Sequence, residues 1–139
     1  MSLVIDASAA LAWIFQREDS QEAQCAERLL NELETQPAWV PSLWTIEIAN
    51  ALLIAERRRV IQEAQLVDYL QRLSRLPITS DECSAQSRQE AVIALGRHLQ
   101  LTAYDATYLE LALRKGARLA TFDQRLGQAM RQVGGEIYQ

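Results

Sequence analysis

The chain has 139 residues, 49% of them hydrophobic, and a formal net charge of −4 at pH 7. These values predict one domain, residues 1–139, with a core that needs no disulfides. The sequence has no bilayer-length apolar run and no N-terminal signal pattern, so we expect a cytoplasmic protein without a membrane partner. The acidic balance excludes a protein that holds nucleic acid by charge alone, but not a nuclease whose acids surround a cation.

Cysteine and histidine content excludes two further kinds of site. Cys25 and Cys83 lie far apart, and His98 is the only histidine, so a zinc site of the Cys/His type is not expected. A single histidine also disfavours ribonucleases that use a histidine pair and the RNA 2′-hydroxyl. We expect both thiols to be structural and reduced.

Short apolar segments alternate with amphipathic ones along the chain. We predict strands at 3–5, 39–40, 77–79, 118–121 and 136–138, and helices at 9–15, 20–33, 42–58, 62–75, 84–98, 104–115 and 126–133. Ser8 is expected to cap the first helix, and Gly116 to end the sixth. This alternation predicts an α/β/α sandwich, in which helices flank a central, mostly parallel sheet of short strands.

The helix predicted at 42–58 is apolar over most of its surface. We expect its inner face to be formed by residues at helical spacing, namely Leu43, Ile46, Ala49, Asn50, Leu53 and Ile54. Glu47 lies between two isoleucines, and Asn50 follows it by three residues, on the same face.

Four acids occupy positions that a parallel α/β fold brings to one edge of its sheet. Asp6 directly follows a predicted strand and Asp123 comes two residues after another, where such folds bind ligands. Glu47 and Asp105 lie on helices with apolar inner faces. Each acid alone has a structural explanation, as a turn or cap residue, a first-turn acid or a solvated side chain. Only the set predicts a functional site.

A cluster of carboxylates requires a compensating cation. Two carboxylates about 4 Å apart repel by roughly 4 kcal/mol at an effective dielectric constant of 20, so several cannot all remain ionised alone. Oxygen ligands select Mg²⁺ or Mn²⁺ rather than zinc or copper. Such an ion binds phosphate oxygens and activates a water, which predicts a metal-dependent nuclease.

The segments that carry these acids resemble the four motifs of PIN-domain nucleases, in the same order and over nearly the whole chain. The most similar branch is the VapC-type toxin ribonucleases of type II toxin–antitoxin systems. The matching segments are VIDASAAL at 4–11, EIANAL at 47–52, YDATYLELA at 104–112 and TFDQRL at 121–126.

The resemblance implies a Mg²⁺- or Mn²⁺-dependent endoribonuclease that hydrolyses structured RNA, such as tRNA or rRNA, with a metal-activated water. The products would carry a 5′-phosphate and a 3′-hydroxyl. All four acidic positions of the family are present and would form the catalytic metal site: Asp6, Glu47, Asp105 and Asp123. Ser8 and Thr121 occupy the family's hydroxyl positions and would orient ligands or water, with Asn50 a further candidate.

The resemblance also implies a homodimer and a cognate antitoxin that blocks the pocket. Arg57, Arg58 and Arg59 form the densest basic cluster and are candidates for contacting RNA. Arginines at a helix end also stabilise the helix dipole, so this cluster has a purely structural interpretation as well.

Other classes of protein fit the sequence less well. A receiver-like domain needs paired acids near its first strand and a lysine after a late strand, but Lys115 is the only lysine and precedes that strand. A dehalogenase-like phosphatase needs a second aspartate where Ser8 lies, and a P-loop kinase needs a glycine-rich loop. A catalytically silent PIN-like module that only binds a partner protein remains an alternative.

Overall fold

The computed structural model describes residues 2–139 and contains a four-stranded parallel sheet. The strands are β1 (Leu3–Ile5), β2 (Ala38–Val40), β3 (Ile78–Ser80) and β4 (Arg118–Ala120). Their order in the sheet is β3-β2-β1-β4. Val4 of β1 pairs with Trp39 on one side and with Leu119 on the other. The carboxyl ends of β1 and β4 are therefore neighbours at one edge of the sheet.

Seven helices connect and flank these strands within the described residues. They are α1 (Ala7–Leu11), α2 (Ser20–Glu32), α3 (Leu43–Arg57), α4 (Glu63–Ser74), α5 (Ala85–Leu99), α6 (Ala103–Lys115) and α7 (Gln124–Gln132). The predicted alternation of strands and helices is confirmed. Gly116 ends α6 as predicted, in the left-handed conformation at φ 59° that favours glycine.

The core lies on both faces of β1 and of its neighbour β4. All three residues of β1 are fully buried, as is Leu119 in β4. Buried strands of parallel sheets are apolar on both faces because helices cover each side. One covering helix, α6, buries the continuous segment from Tyr108 to Ala112. The predicted α/β/α sandwich is thus confirmed.

Some predicted boundaries are wrong. The first helix runs from Ala7 to Leu11 rather than over 9–15, and Asp6, not Ser8, is its N-cap. The chain turns into the helix directly after β1, so the first side chain able to accept a helical N–H is that of Asp6. The last helix begins at Gln124 rather than at 126. The strand predicted at 136–138 is reduced to one isolated bridge between Leu119 and Ile137.

The predicted inner face of α3 is also wrong. Ile46 is 69% exposed and Leu53 is 45% exposed, whereas the buried residues of this helix are Trp44, Ile48, Leu52 and Ala55. Because α3 carries apolar residues on nearly every side, spacing alone does not determine which side faces the sheet. An apolar surface therefore remains exposed along α3.

Among residues 2–139, no helix is long and apolar enough to cross a membrane.

Candidate active site

Asp6 lies at the carboxyl end of β1 and is only 5% exposed. Its backbone is still extended, so it continues β1 up to the start of α1 at Ala7, and its backbone N–H donates to the carbonyl of Ala120 at 3.1 Å. Its Oδ1 accepts hydrogen bonds from the backbone N–H of Ala9 at 3.0 Å and from the hydroxyl of Ser8 at 2.7 Å. The hydroxyl of Thr121 donates to Oδ2. The carboxylate is thus fixed by three donors, two of them hydroxyls.

The charge of Asp6 is nevertheless disfavoured in this structure. Burial raises the pKa of Asp6 to about 6, although the hydrogen bonds from Thr121, Ser8 and Ala9 act to lower it; the nearby charge of Asp123 raises it further. No hydrogen bond or ion pair joins Asp6 to a cation within residues 2–139. A buried, hydrogen-bonded acid with a raised pKa and no protein cation is typical of a functional site.

Two hydroxyl side chains connect the ends of β1 and β4. Besides donating to Asp6, Ser8 accepts the backbone N–H of Phe122 at 2.9 Å. Thr121 likewise donates to Asp6 and accepts the backbone N–H of Asp123 at 2.9 Å. These contacts fix the orientation of the Asp6 carboxylate and the start of the segment that carries Asp123.

Asp105 and Asp123 lie at the starts of α6 and α7. Asp105 is in the first turn of α6, and Asp123 is the N-cap of α7, accepting from the backbone N–H of Leu126 at 2.9 Å. Burial raises the pKa of Asp105, and the charges of Asp123 and Glu47 raise it further, while Arg125 acts in the opposite direction. Asp105 is therefore within electrostatic reach of two other acids.

Glu47 is connected to this group through Tyr108. The Tyr108 hydroxyl, on α6, donates to Oε1 of Glu47, on α3, at 2.5 Å. Burial raises the pKa of Tyr108, as do its hydrogen bond to Glu47 and the charges of Glu47 and Asp6. The four predicted acids thus form one electrostatically coupled group, which we call the acid pocket: Asp6, Glu47, Asp105 and Asp123.

The donor set of the acid pocket suits a hard divalent cation, because every candidate ligand atom is a carboxylate oxygen. Among residues 2–139, however, no three acidic, cysteine or histidine side chains converge closely enough to hold one ion as they stand. Asp123 is engaged as a helix cap and Glu47 by Tyr108. Coordination by three carboxylates would require at least one of them to rotate.

The remaining predicted site residues are exposed on α3 or just after its end. Asn50 is exposed on α3 and makes no hydrogen bond to the acid pocket within residues 2–139. Arg57 follows Glu47 by ten residues, which places it about 15 Å further along α3. Arg58 is the C-cap of that helix, and Arg59 has a φ of 59°. The basic cluster is exposed and lies outside the acid pocket, so its contact with RNA stays a prediction.

Sequence reasoning assigned no role to two residues beside the acid pocket. Tyr108 lies one helical turn after Asp105, and this spacing was the only feature of the sequence that placed it near the site. Arg125 follows Asp123 by two residues inside the fourth motif, and its charge acts on Asp105. Neither interaction is readable from sequence, because each joins different elements of the fold.

A second group of charges lies at the end of β3 and has a different character. Asp81 and Glu110 are held by Arg114, at 2.5 Å and 2.8 Å, and Arg88 also donates to Glu110, at 2.7 Å. Glu110 is 5% exposed. We call these four residues the ion-paired cluster. Although burial raises the pKa of Asp81, the hydrogen bonds from Arg114 and the Cys83 backbone outweigh it and hold the pKa below its usual value.

Comparisons with known proteins agree with this architecture. A model of the PIN-domain family matches residues 3–132. Ribonuclease VapC3 from Pyrobaculum aerophilum is 31% identical over 128 residues, which cover 92% of this chain and 94% of that protein. The crystal structure of PAE2754 from Pyrobaculum aerophilum is similar in fold, with a TM-score of 0.71 at 23% identity over 99% of this chain and 83% of that one. The resemblance to VapC-type PIN domains is therefore confirmed: this chain belongs to the PIN-domain family.

Proposed function

We propose that the chain is a Mg²⁺- or Mn²⁺-dependent endoribonuclease that hydrolyses structured RNA, such as tRNA or rRNA. The observation that carries this proposal is the acid pocket, in which a buried Asp6 with a raised pKa is coupled to further acids without an ion-pair partner. Family membership and the similarity to a protein named ribonuclease support the same chemistry.

In this proposal Asp6 and Asp105 bind the cation directly, and Glu47 and Asp123 complete the pocket, directly or through water. When bound, a divalent cation supplies charge compensation and an activated water for attack on phosphorus. Its arrival would also favour the ionised form of Asp6, because an opposite charge lowers a carboxyl pKa.

The side chains around the acids have positioning roles in the proposal. Ser8 and Thr121 hold the Asp6 carboxylate in one orientation, since each donates a hydroxyl hydrogen bond to it. Tyr108 holds Glu47 close to α6 through its hydroxyl hydrogen bond, and Glu47 would need to leave this bond to hold a cation. Such partners commonly change metal affinity or activity by about 10- to 100-fold when removed. Asn50 is exposed and stays a weaker candidate for the same role.

We further propose that the chain is the toxin of a type II toxin–antitoxin pair and acts in the cytoplasm, with a cognate antitoxin and a second copy of itself as partners. The name of its relative, a VapC ribonuclease, supports the first part. The exposed apolar residues of α3, Ile46, Leu53 and Ile54, are suited to a protein interface.

The direct test is cleavage of purified tRNA and rRNA, with sequencing of the cleaved ends, by the wild-type protein and by Asp6→Asn. We expect cleavage with Mg²⁺ or Mn²⁺, 5′-phosphate ends, and no cleavage in EDTA. The isosteric variant should be inactive while its circular dichroism spectrum is unchanged. Full activity of folded Asp6→Asn, or equal activity in EDTA, would overturn the proposal.

A further inference from the structure

An RNA nuclease with this charge distribution faces an electrostatic problem. The chain carries a net charge of −4, and its acid pocket would face a polyanion. A phosphate about 6 Å from one carboxylate is repelled by nearly 3 kcal/mol at an effective dielectric constant of 20. A protein cation at the rim of the pocket would offset this repulsion for phosphates that the metal does not reach.

Several arginines already pair with acids. Arg17 pairs with Glu22 at 2.5 Å and stacks over Phe122. Arg118 pairs with Glu32. The two arginines of the ion-paired cluster are held by its acids. The side chains of all these arginines are thus committed to contacts within the protein.

Arg125 differs from them in both position and pairing. It lies in the first turn of α7, two residues after Asp123, the N-cap that belongs to the acid pocket. Its side chain is exposed and makes no hydrogen bond or ion pair with residues 2–139. Because Asp123 belongs to the acid pocket, Arg125 lies at the rim of the pocket, and its guanidinium is not bound by any of residues 2–139.

We propose that Arg125 is an RNA-binding residue of this enzyme, whose guanidinium receives a substrate phosphate at the rim of the acid pocket. This inference rests on the proposed nuclease function. A guanidinium presents two parallel N–H donors that match two phosphate oxygens.

The pocket rim is a better candidate for phosphate contact than the Arg57–Arg59 cluster. That cluster is about 15 Å from Glu47 along α3, whereas Arg125 is two residues from Asp123 in the first turn of α7. A single arginine at the rim would bind the backbone of any RNA sequence, because phosphates carry no sequence information. Arg125 would therefore contribute to affinity rather than to the choice of target.

The test compares Arg125→Gln with Arg131→Gln, which removes the same charge from the same helix. Arg131 is exposed in the last turn of α7, about 9 Å further along the axis and on another face. Cleavage of a labelled RNA stem-loop is measured with Mg²⁺ over a series of salt concentrations. We expect Arg125→Gln to raise KM about tenfold, as for loss of one charged hydrogen bond, with a smaller change in kcat. Arg131→Gln should match the wild type.

Salt dependence provides the readout that a structural role would not change. Each phosphate contact contributes a slope of about −0.7 for a single strand to about −0.9 for a duplex in log K against log salt, so Arg125→Gln should flatten the slope by about that amount. Arg125→Lys should restore the slope but only part of the affinity, because it keeps charge without two parallel donors. Identical KM and slope for the Gln variants at 125 and 131 would overturn the inference while leaving nuclease activity intact. No cleavage by the wild type would overturn the proposed function instead.

Discussion

The acid pocket and the ion-paired cluster show two different uses of acids that follow strands. Asp6 follows β1 and Asp81 follows β3, and both lie near further acids. Asp81 is bound by Arg114, and its pKa lies below the usual value. Asp6 has hydroxyl and backbone donors but no cation, and burial raises its pKa to about 6. One group is neutralised by the protein, and the other remains available to an external cation.

This difference separates a structural role from a functional one. Internal ion pairs between α5, α6 and the segment after β3 hold those elements together, because removing one partner leaves a poorly solvated charge. The acid pocket instead lowers the stability of the fold, since mutual repulsion and burial of its acids oppose folding. Functional sites commonly reduce stability in this way.

The largest expected effect is on activity. Asp105→Asn removes a proposed cation ligand and should lower the rate of RNA cleavage by more than about 100-fold, since even residues that only support such ligands cost up to that factor. Asp81→Asn is the matched control because it makes the same change in the ion-paired cluster. Single-turnover cleavage measures both, and equal rates for the two variants would break the comparison.

Of Asp105→Asn and Asp81→Asn, the second should lose more stability, although it loses less activity. Asp81→Asn removes the charge that binds Arg114 and should lower the free energy of unfolding by about 2 kcal/mol at pH 7, as for a charged hydrogen bond. Because the folded pKa of Asp81 is depressed, its contribution is present above the unfolded pKa and is lost as pH falls through the folded value. Urea unfolding at pH 7 and at low pH measures this, and equal losses at both would contradict the account.

Asp6→Asn should change the free energy of unfolding in the opposite direction, by raising it. The folded pKa near 6 exceeds the ordinary aspartate pKa of 3.8, so the folded state binds more protons between these values and stability falls as pH rises through that window. At pH 7 without divalent cations, ionised Asp6 costs roughly 3 kcal/mol at most, given 1.36 kcal/mol per pKa unit. Asp6→Asn should therefore be more stable than the wild type at pH 7 in EDTA. A variant less stable than the wild type there would contradict this prediction.

A smaller effect is expected at the hydroxyl that orients Asp6. Thr121→Val removes the donor to Asp6 and the acceptor for the Asp123 N–H, and it should reduce cleavage about tenfold. Because this hydrogen bond lowers the pKa of Asp6, the acidic limb of the pH–rate profile should also move to higher pH. Thr121→Ser should restore both properties, and Thr79→Val, on the exposed strand β3, is the control.

Much of the fold was predictable because strands and helices differ in apolar period. The apolar segments at 3–5 and 118–121 correspond to β1 and β4, and Gly116 ended a helix as its conformational freedom predicts. The buried face of α3 was not predictable, since Ile46 and Leu53 are as apolar as the residues that are buried. Which side is covered depends on the sheet, not on the helix.

The candidate site was predictable only in part, for a similar reason. Acids at strand ends converge in any parallel sheet, so Asp6 and Asp123 follow from topology. The cap at Asp6 was wrongly given to Ser8, because both residue types cap helices equally well. The partner of Glu47 and the proximity of Arg125 to Asp105 depend on packing between α3, α6 and α7, which carries no local signal.

Direct measurement of cation binding tests the central claim that the acid pocket, and not the ion-paired cluster, receives a divalent ion. Mn²⁺ is titrated by calorimetry at pH 7 into the wild type, Asp105→Asn and Asp81→Asn. We predict that the wild type and Asp81→Asn bind Mn²⁺ with similar affinity, and that Asp105→Asn loses most of this affinity. Binding by Asp105→Asn equal to that of the wild type would contradict the account.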